Sequence, residues 1–263
     1  MIFGKTIVVT GVASGIGKRT AEMASSMGAD VIGVDVNEPA QLIGHFIKAD
    51  ISTPQGVTAL VAQLPSSLDG LCNVAGLSGK TGAAATLAVN FFGLRALTES
   101  LAEKIRQGGA VVNVASIAGY GWRANVEKVK AVVSIDGFPD LAKIVAEYDI
   151  KNEVCYPFSK ELLLLWNMRA AHQPLFKNRG IRINAVSPGP VETPILTQFR
   201  EVLGDVRVDD DIARTGRAGR PADIAPTILF LCSDGARWIN GANIANDGGL
   251  EASINGQVFG FNS

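Results

Sequence analysis

Tyr156 and Lys160 stand four positions apart in Tyr156-Pro-Phe-Ser-Lys160. On a helix that spacing puts both side chains on one face. A free tyrosine titrates near pH ~10, too high for a base at neutral pH. A neighbouring ammonium favours the phenolate, so the pair reads as a proton-transfer device. Far upstream lies a glycine-rich turn, Thr10-Gly-Val-Ala-Ser-Gly-Ile-Gly17. Its glycines allow a tight turn and close backbone approach, and a following helix would offer free N–H groups and a positive dipole end to a pyrophosphate. Gly11, Ser14, Gly15, Ile16 and Gly17 are therefore candidate dinucleotide contacts. A dinucleotide seat and a proton-transfer pair together describe hydride exchange between a nicotinamide ring and an alcohol or carbonyl carbon. Taken singly, each feature has a plainer reading. The turn could simply open a helix, and the pair could be a half-buried aromatic beside a solvated cation.

These residues need a scaffold, and the apolar pattern supplies one. Strand-like runs are expected at 7–10, 31–35, 46–50, 71–75, 110–115, 181–186 and 243–245. Helical stretches are expected at 15–27, from Ser52-Thr-Pro54 onward, and at 86–106, 156–177 and 221–232. Strands alternating with helices imply α/β architecture, a single doubly wound parallel sheet (Rossmann) with helices on both faces. The glycine turn then falls between the first strand and the first helix, the context a dinucleotide fingerprint requires. Asp35 ends the second strand, 18 positions after Gly17. Its carboxylate can accept from both adenosine-ribose hydroxyls and would repel a 2′-phosphate. Neither Ser14 nor Val36 supplies a cation there, and Lys18 reads as solvated, so NAD is favoured over NADP. Asp50 and Ile51, at the end of the third strand, would bracket the adenine; Asp50 could equally be a cap.

The composition excludes several functions. The chain has 263 residues, 47% of them hydrophobic, and a formal net charge of −1. It reads as one domain, 1–263, with ample core and no footprint for nucleic acid. No signal-type leader or membrane-length apolar run is apparent. Cys72, Cys155 and Cys232 lack metal-ligand spacing, and His45 and His172 have no ligand-like neighbours, so no metal is expected and the thiols read as reduced, cytoplasmic ones.

At this point the chain resembles the short-chain dehydrogenase/reductases along nearly its whole length. The match rests on Thr10 to Gly17, Asn73-Val-Ala-Gly76, Val-Asn90-Phe-Phe-Gly93, Val-Ala-Ser116-Ile-Ala-Gly119, Tyr156 with Lys160, Asn184-Ala-Val-Ser-Pro-Gly189 with Thr193, and Asn246-Asp-Gly-Gly249. The resemblance implies a catalytic set of Asn90, Ser116, Tyr156 and Lys160. Tyr156 would exchange the hydroxyl proton. Lys160 would lower the tyrosine pKa and hold the nicotinamide ribose. Ser116 would fix the substrate oxygen, and Asn90 would anchor a water. It further implies cofactor contacts from Asn73, Ala75, Gly76, Pro188, Gly189, Val191 and Thr193. Thr193 would bind the carboxamide and could also cap a helix before Pro194. The stretch 194–211 would close over the substrate.

One departure stands out. Ser116 and Tyr156 are 40 positions apart, far more than in most members, which implies an insertion at about 120–154. Its Lys and Glu residues read as a solvated helix face. Such an insertion resembles that of the bacterial 3α-hydroxysteroid dehydrogenase/carbonyl reductases. The wording at 68–76, 187–196 and 237–249 is similar to bacterial coniferyl alcohol dehydrogenases. The resemblance thus implies oxidation of a coniferyl-type aromatic allylic alcohol, with a hydroxysteroid as the alternative substrate. A non-catalytic NAD(H)-binding sensor is the alternative from another class. Tyr120, Trp122 and Phe199 are candidate linings of an aromatic substrate pocket, with core packing as the other reading. A homo-oligomer, dimer or tetramer, is expected through the C-terminal region.

Overall fold

The computed structural model describes residues 1–261. A seven-stranded sheet in the order β3-β2-β1-β4-β5-β6-β7 forms its centre. The strands are β1 Thr6–Thr10, β2 Asp30–Asp35, β3 His45–Lys48, β4 Leu68–Asn73, β5 Ile105–Val114, β6 Arg182–Pro188 and β7 Asn243–Asn246, all paired in parallel. The central strand β1, buried on both faces, is nearly continuous in Val and Ile, as in Thr6-Ile-Val-Val-Thr10, whereas the edge strands β3 and β7 are partly exposed. The strand order reverses between β1 and β4, and a crevice opens there beyond their carboxyl ends.

Helices cover both faces. On one side α1 Gly15–Ser26 contributes Ala21 and Ala24 to a core with Ile7 and Val9 of β1. On the other side α2 Pro54–Gln63 contributes Val57 and Leu60. The Thr53 hydroxyl caps α2 by accepting from the Gly56 N–H, and Pro54 occupies its first turn, where no N–H is required. The helix expected at 86–106 is interrupted. It consists of α3 Ala83–Leu87, a π segment Ala88–Gly93 and α4 Leu94–Leu101, after which the chain enters β5. The apolar period continues through all three pieces, so periodicity alone reads them as one. Ile105 and Arg106 belong to β5 because Ile105 pairs with Leu68, ahead of the irregularity between Leu68 and Gly70.

The 120–154 region folds as two helices, α5 Val126–Val133 and α6 Leu141–Glu147, flanked by 3₁₀ turns Ile117–Arg123 and Asn152–Val154. Its charged residues do form solvated pairs, Lys130 with Glu127 and Lys143 with Asp140. Its apolar face joins the main core through Val129, Val132 and Ile144. Arg95 of α4 anchors it. The guanidinium is buried, donates to the carbonyls of Val133 and Gly137, and lies over the rings of Phe91 and Phe92. Asn125 adds a tether, donating to both carboxylate oxygens of Glu161.

α7 Cys155–Ala170 carries Tyr156 and Lys160 across this face. It stops short of the expected residue 177, because Pro174 opens a separate turn, α8 Pro174–Lys177. After β6 come α9 Pro194–Leu203 and α10 Asp205–Thr215, split at Gly204, whose φ is +87°. α11 Pro221–Cys232 packs beside α1, and α12 Leu250–Val258 follows β7.

Candidate active site

Two cavities open at the carboxyl ends of β1, β4 and β5. The larger, about 360 Å³, runs from Asp35 past the glycine turn to Thr193 and Gln198. Its floor depends on close backbone approach. A Cβ on Gly17 would lie 2.1 Å from the Gly11 carbonyl oxygen, so only glycine fits. The Thr10 hydroxyl accepts from the Val74 and Ala75 N–H groups, which fastens the end of β1 to the loop after β4. Ser14 stands at the N-cap of α1, yet its side chain does not cap the helix, and the first turn carries no acidic residue. The helix N–H groups are thus left for an anionic ligand.

At the far end Asp35 is fixed by two backbone donors. Oδ2 accepts from the Ala13 N–H and Oδ1 from the Asn37 N–H, each at 2.9 Å. Asp50 and Ile51 also line this end; Asp50 folds a local turn by accepting from the Ser52 N–H, while Thr53 is the cap of α2. Lys18 is drawn to Glu22 at 3.9 Å. Among the described residues no lysine or arginine lines the cleft.

The smaller cavity, about 130 Å³, is bounded by Ser116, Tyr156, Gly189, Leu196, Phe199 and Leu250, among others. Tyr156 is 9% exposed, and burial pushes its phenol up to about 12 against the opposing hydrogen bond with Ser116. Ser116 follows β5, and its hydroxyl accepts from the Ala118 N–H at 3.1 Å, which sets its direction. Lys160 lies one turn along α7 with its ammonium 5.7 Å from the Tyr156 ring centre. It donates to the Val114 carbonyl at 2.8 Å, and burial pulls it down to about 8. A Cβ on Gly76, which lines the larger cavity, would sit 3.8 Å from the Lys160 Nζ. The lysine amine therefore lies just behind that glycine.

Asn90 occupies the π segment, a helix irregularity frequent at functional sites. Its side chain is fully committed. Oδ1 accepts from the Leu77 N–H, while Nδ2 donates to the Leu77 carbonyl and the Ser159 hydroxyl. It holds the loop after β4 against α7, and thus holds the cleft wall against the helix of Tyr156.

Ala75, Gly76 and Thr193 line the larger cavity. Thr193 occupies the N-cap position of α9 but makes no side-chain cap. Its hydroxyl donates to the Val191 carbonyl instead. Gly189 faces the smaller cavity. Pro188 ends β6, and Val191 bridges to Gly219, so these two shape the loop from behind. Asn73 is a correction: it points into the core, donating to Thr98 and Asn113, and does not line the cleft. In a strand successive side chains alternate faces, and the strand residue Asn73 takes the inner one. Tyr120 and Trp122 are a second correction. They line a separate groove with Arg123, whose guanidinium stacks on both rings, while Phe199 alone reaches the catalytic pocket, 4.5 Å from the Tyr156 ring centre. Cys155 is buried against Thr86, and burial pushes its thiol up, which leaves it inert.

Sequence reasoning missed the residues that hold α9 in place. The Ser78 hydroxyl donates to Gln198 at 2.7 Å, and Lys80 pairs with Glu201. It had Arg207 and Asp211 only as unnamed members of the stretch 194–211 expected over the substrate, and it missed Ile254 in the pocket wall. For those in 194–215 the only sequence signal is amphipathic spacing, which does not say what the helix faces, and Ser78, Lys80 and Ile254 carry none.

The fold and site define the class. The chain matches the family description "short chain dehydrogenase" over residues 5–127 and "Enoyl-(Acyl carrier protein) reductase" over residues 140–251. It belongs to the short-chain dehydrogenase/reductase family. Among individual relatives it is 41% identical to a coniferyl-alcohol dehydrogenase of Pseudomonas sp. (strain HR199 / DSM 7063), over 95% of this chain and 97% of that one. It is 29% identical to a 3-alpha-hydroxysteroid dehydrogenase/carbonyl reductase of Comamonas testosteroni, over 94% and 96%. The crystal structure of a 3-alpha-hydroxysteroid dehydrogenase from Pseudomonas sp. B-0831, complexed with NADH, superposes with a TM-score of 0.79 at 32% identity, covering 96% and 99% of the two chains. The chain is an oxidoreductase of the alcohol dehydrogenase type.

Proposed function

We propose that this chain is an NAD-dependent dehydrogenase of aromatic allylic alcohols, oxidising a coniferyl-type alcohol to its aldehyde. The observation that carries the reading is the placing of Ser116 and Tyr156 in an apolar pocket with Phe199, with the Lys160 amine set behind Gly76 of a dinucleotide-sized cleft. The cleft suits NAD through its bare helix N-terminus, the oriented Asp35 carboxylate and the lack of a lining cation that a 2′-phosphate would need. When bound, the nicotinamide accepts the hydride.

The chain's own residues handle the proton. Ser116 holds the substrate oxygen by hydrogen bonding. Tyr156 takes the hydroxyl proton during oxidation and returns it in reduction. Its phenol is held neutral by burial, so positive charge in the adjoining cleft is what brings the phenolate within reach. Lys160 contributes such a charge below about pH 8, where it is protonated. Asn90 positions the Leu77 loop and α7 relative to one another. Thr193 and the loop from Pro188 to Val191 hold the nicotinamide end. The 41% identity to a coniferyl-alcohol dehydrogenase supports the phenylpropenol substrate.

We read the whole chain as one catalytic domain with 120–154 as an insertion, acting in the cytoplasm. We also propose that it pairs with a second copy through the C-terminal region. The insertion packs on α7, while β7 is an edge strand and Trp238, nearby in sequence, is 96% exposed. Light scattering that finds only monomer at working concentration would remove that part.

The substrate reading is tested by initial rates of NADH formation with coniferyl alcohol, cinnamyl alcohol, a 3α-hydroxysteroid and a simple secondary alcohol. Fast turnover of the phenylpropenols is expected. Turnover of the steroid alone would move the chain to the second reading, supported by the NADH-complexed structural relative. NADH binding with no alcohol oxidised would make it a sensor.

A further inference from the structure

The pocket beside Tyr156 is apolar over most of its wall, through Leu196, Phe199, Val208 and Ile254. Two charged side chains of α10 break that wall, Arg207 and Asp211, one helical turn apart. Two of the other three acids of this helix have partners, and the third, Asp210, is exposed. Arg200 pairs with both Asp205 and Asp209. The Arg214 guanidinium, which could have served Asp211, instead donates to Ser253 and Gln257. The Asp211 carboxylate is partly buried and receives no hydrogen bond or ion pair within 4.0 Å among the described residues; burial pushes its carboxyl up, against the opposing charges of Arg207 and Arg214. Arg207 is exposed at the pocket edge and forms no ion pair within 4.0 Å among the described residues. A partly buried acceptor without a donor is costly unless a ligand supplies one.

From this geometry we infer that Asp211 and Arg207 read the ring substituents of the alcohol. The carbinol lies at Ser116 and Tyr156, the aromatic ring packs on Phe199, and a ring hydroxyl donates to Asp211 while Arg207 donates to the oxygens of the substituted ring. The preferred substrate is then a hydroxylated aromatic alcohol rather than a bare one. The inference rests on the aromatic-alcohol reading above and extends it to the far end of the substrate.

The test compares coniferyl alcohol, which carries the ring hydroxyl, with cinnamyl alcohol, which does not, in wild type, Asp211→Ala and Asp211→Asn. In each variant the NADH dissociation constant reports an intact cleft. The wild type should favour coniferyl alcohol. In Asp211→Ala that preference should fall by about tenfold or more, carried by KM rather than kcat. Asp211→Asn, which keeps an acceptor oxygen, should lose less. An unchanged coniferyl-to-cinnamyl ratio in both variants, or a loss carried by kcat for both alcohols alike, overturns the assignment and leaves the aromatic-alcohol reading standing. A wild type that oxidises neither phenylpropenol overturns both, so the two failures appear in different proteins.

Discussion

The floor under the glycine turn and the wall beside Tyr156 are built from different materials. The floor is backbone. Thr10 ties down the Val74 and Ala75 N–H groups, Gly17 nests against the Gly11 carbonyl, and Asp35 is aimed by Ala13 and Asn37. The wall beside Tyr156 is side chain, contributed by α9, α10 and α12, which belong to late segments joined by loops. A backbone seat admits few residue types at each position and serves one ligand shape. A side-chain wall can be repainted without disturbing the sheet, so substrate choice resides there.

Substitutions that leave Tyr156 in place can sharpen this contrast. The largest effect belongs to the floor. Gly17→Val would drive a side chain into the Gly11 carbonyl, and NADH binding should be lost in isothermal titration while the protein stays folded by circular dichroism. Retained tight binding would mean the turn is not the seat. Next comes Asp35→Asn. Removing a charged acceptor should weaken NAD by about 10- to 100-fold and narrow the preference over NADP. On the wall, Phe199→Ala should raise KM for an aromatic alcohol about tenfold, with NADH affinity unmoved. A matching loss of NADH affinity would break the division between the two regions.

The fold was more legible than the pocket. Strand alternation with helices, the fingerprint turn and Asp35 rest on local rules, namely apolar period, glycine sterics and strand-end placement. The π segment around Asn90 obeys the same period as the helices that flank it, so it leaves no mark on the sequence. Asn73 carries the family wording, yet its strand parity turns it into the core. Tyr120 and Trp122 look like pocket residues by type, but they are held on another face with Arg123. Asp211 and Arg207 lie in the stretch expected over the substrate, but which of its side chains face the pocket depends on packing that the sequence does not carry.

Two smaller effects follow. Arg95→Met removes the donor shared by the Val133 and Gly137 carbonyls, and urea unfolding should show a loss of about 1.5–3 kcal/mol. Full stability in that variant would mean the insertion is held by its apolar face and its other polar tethers, such as Asn125 with Glu161. Lys160 adds a pH dependence. Its folded pKa, about 8, lies below its ordinary 10.5, so the unfolded chain binds more protons between these values. The cofactor-free protein should gain stability relative to Lys160→Met as pH rises from about 8 towards 10. Tyr156 opposes the trend above its ordinary value of 10.0, because its folded pKa is raised and its contribution is lost as pH climbs through about 12. A stability difference that is flat across that window would place the amine in water.

The measurement that bears most directly on the site is a pair of readings on Tyr156→Phe: turnover of the best alcohol with NAD, and the NADH dissociation constant. The phenol is the group that exchanges the proton, and it lies outside the backbone seat. Turnover should therefore fall by about 10²- to 10⁴-fold while NADH affinity stays within a few-fold. Substantial remaining turnover, or NADH binding lost together with activity, would contradict the assignment of the chemistry to Tyr156.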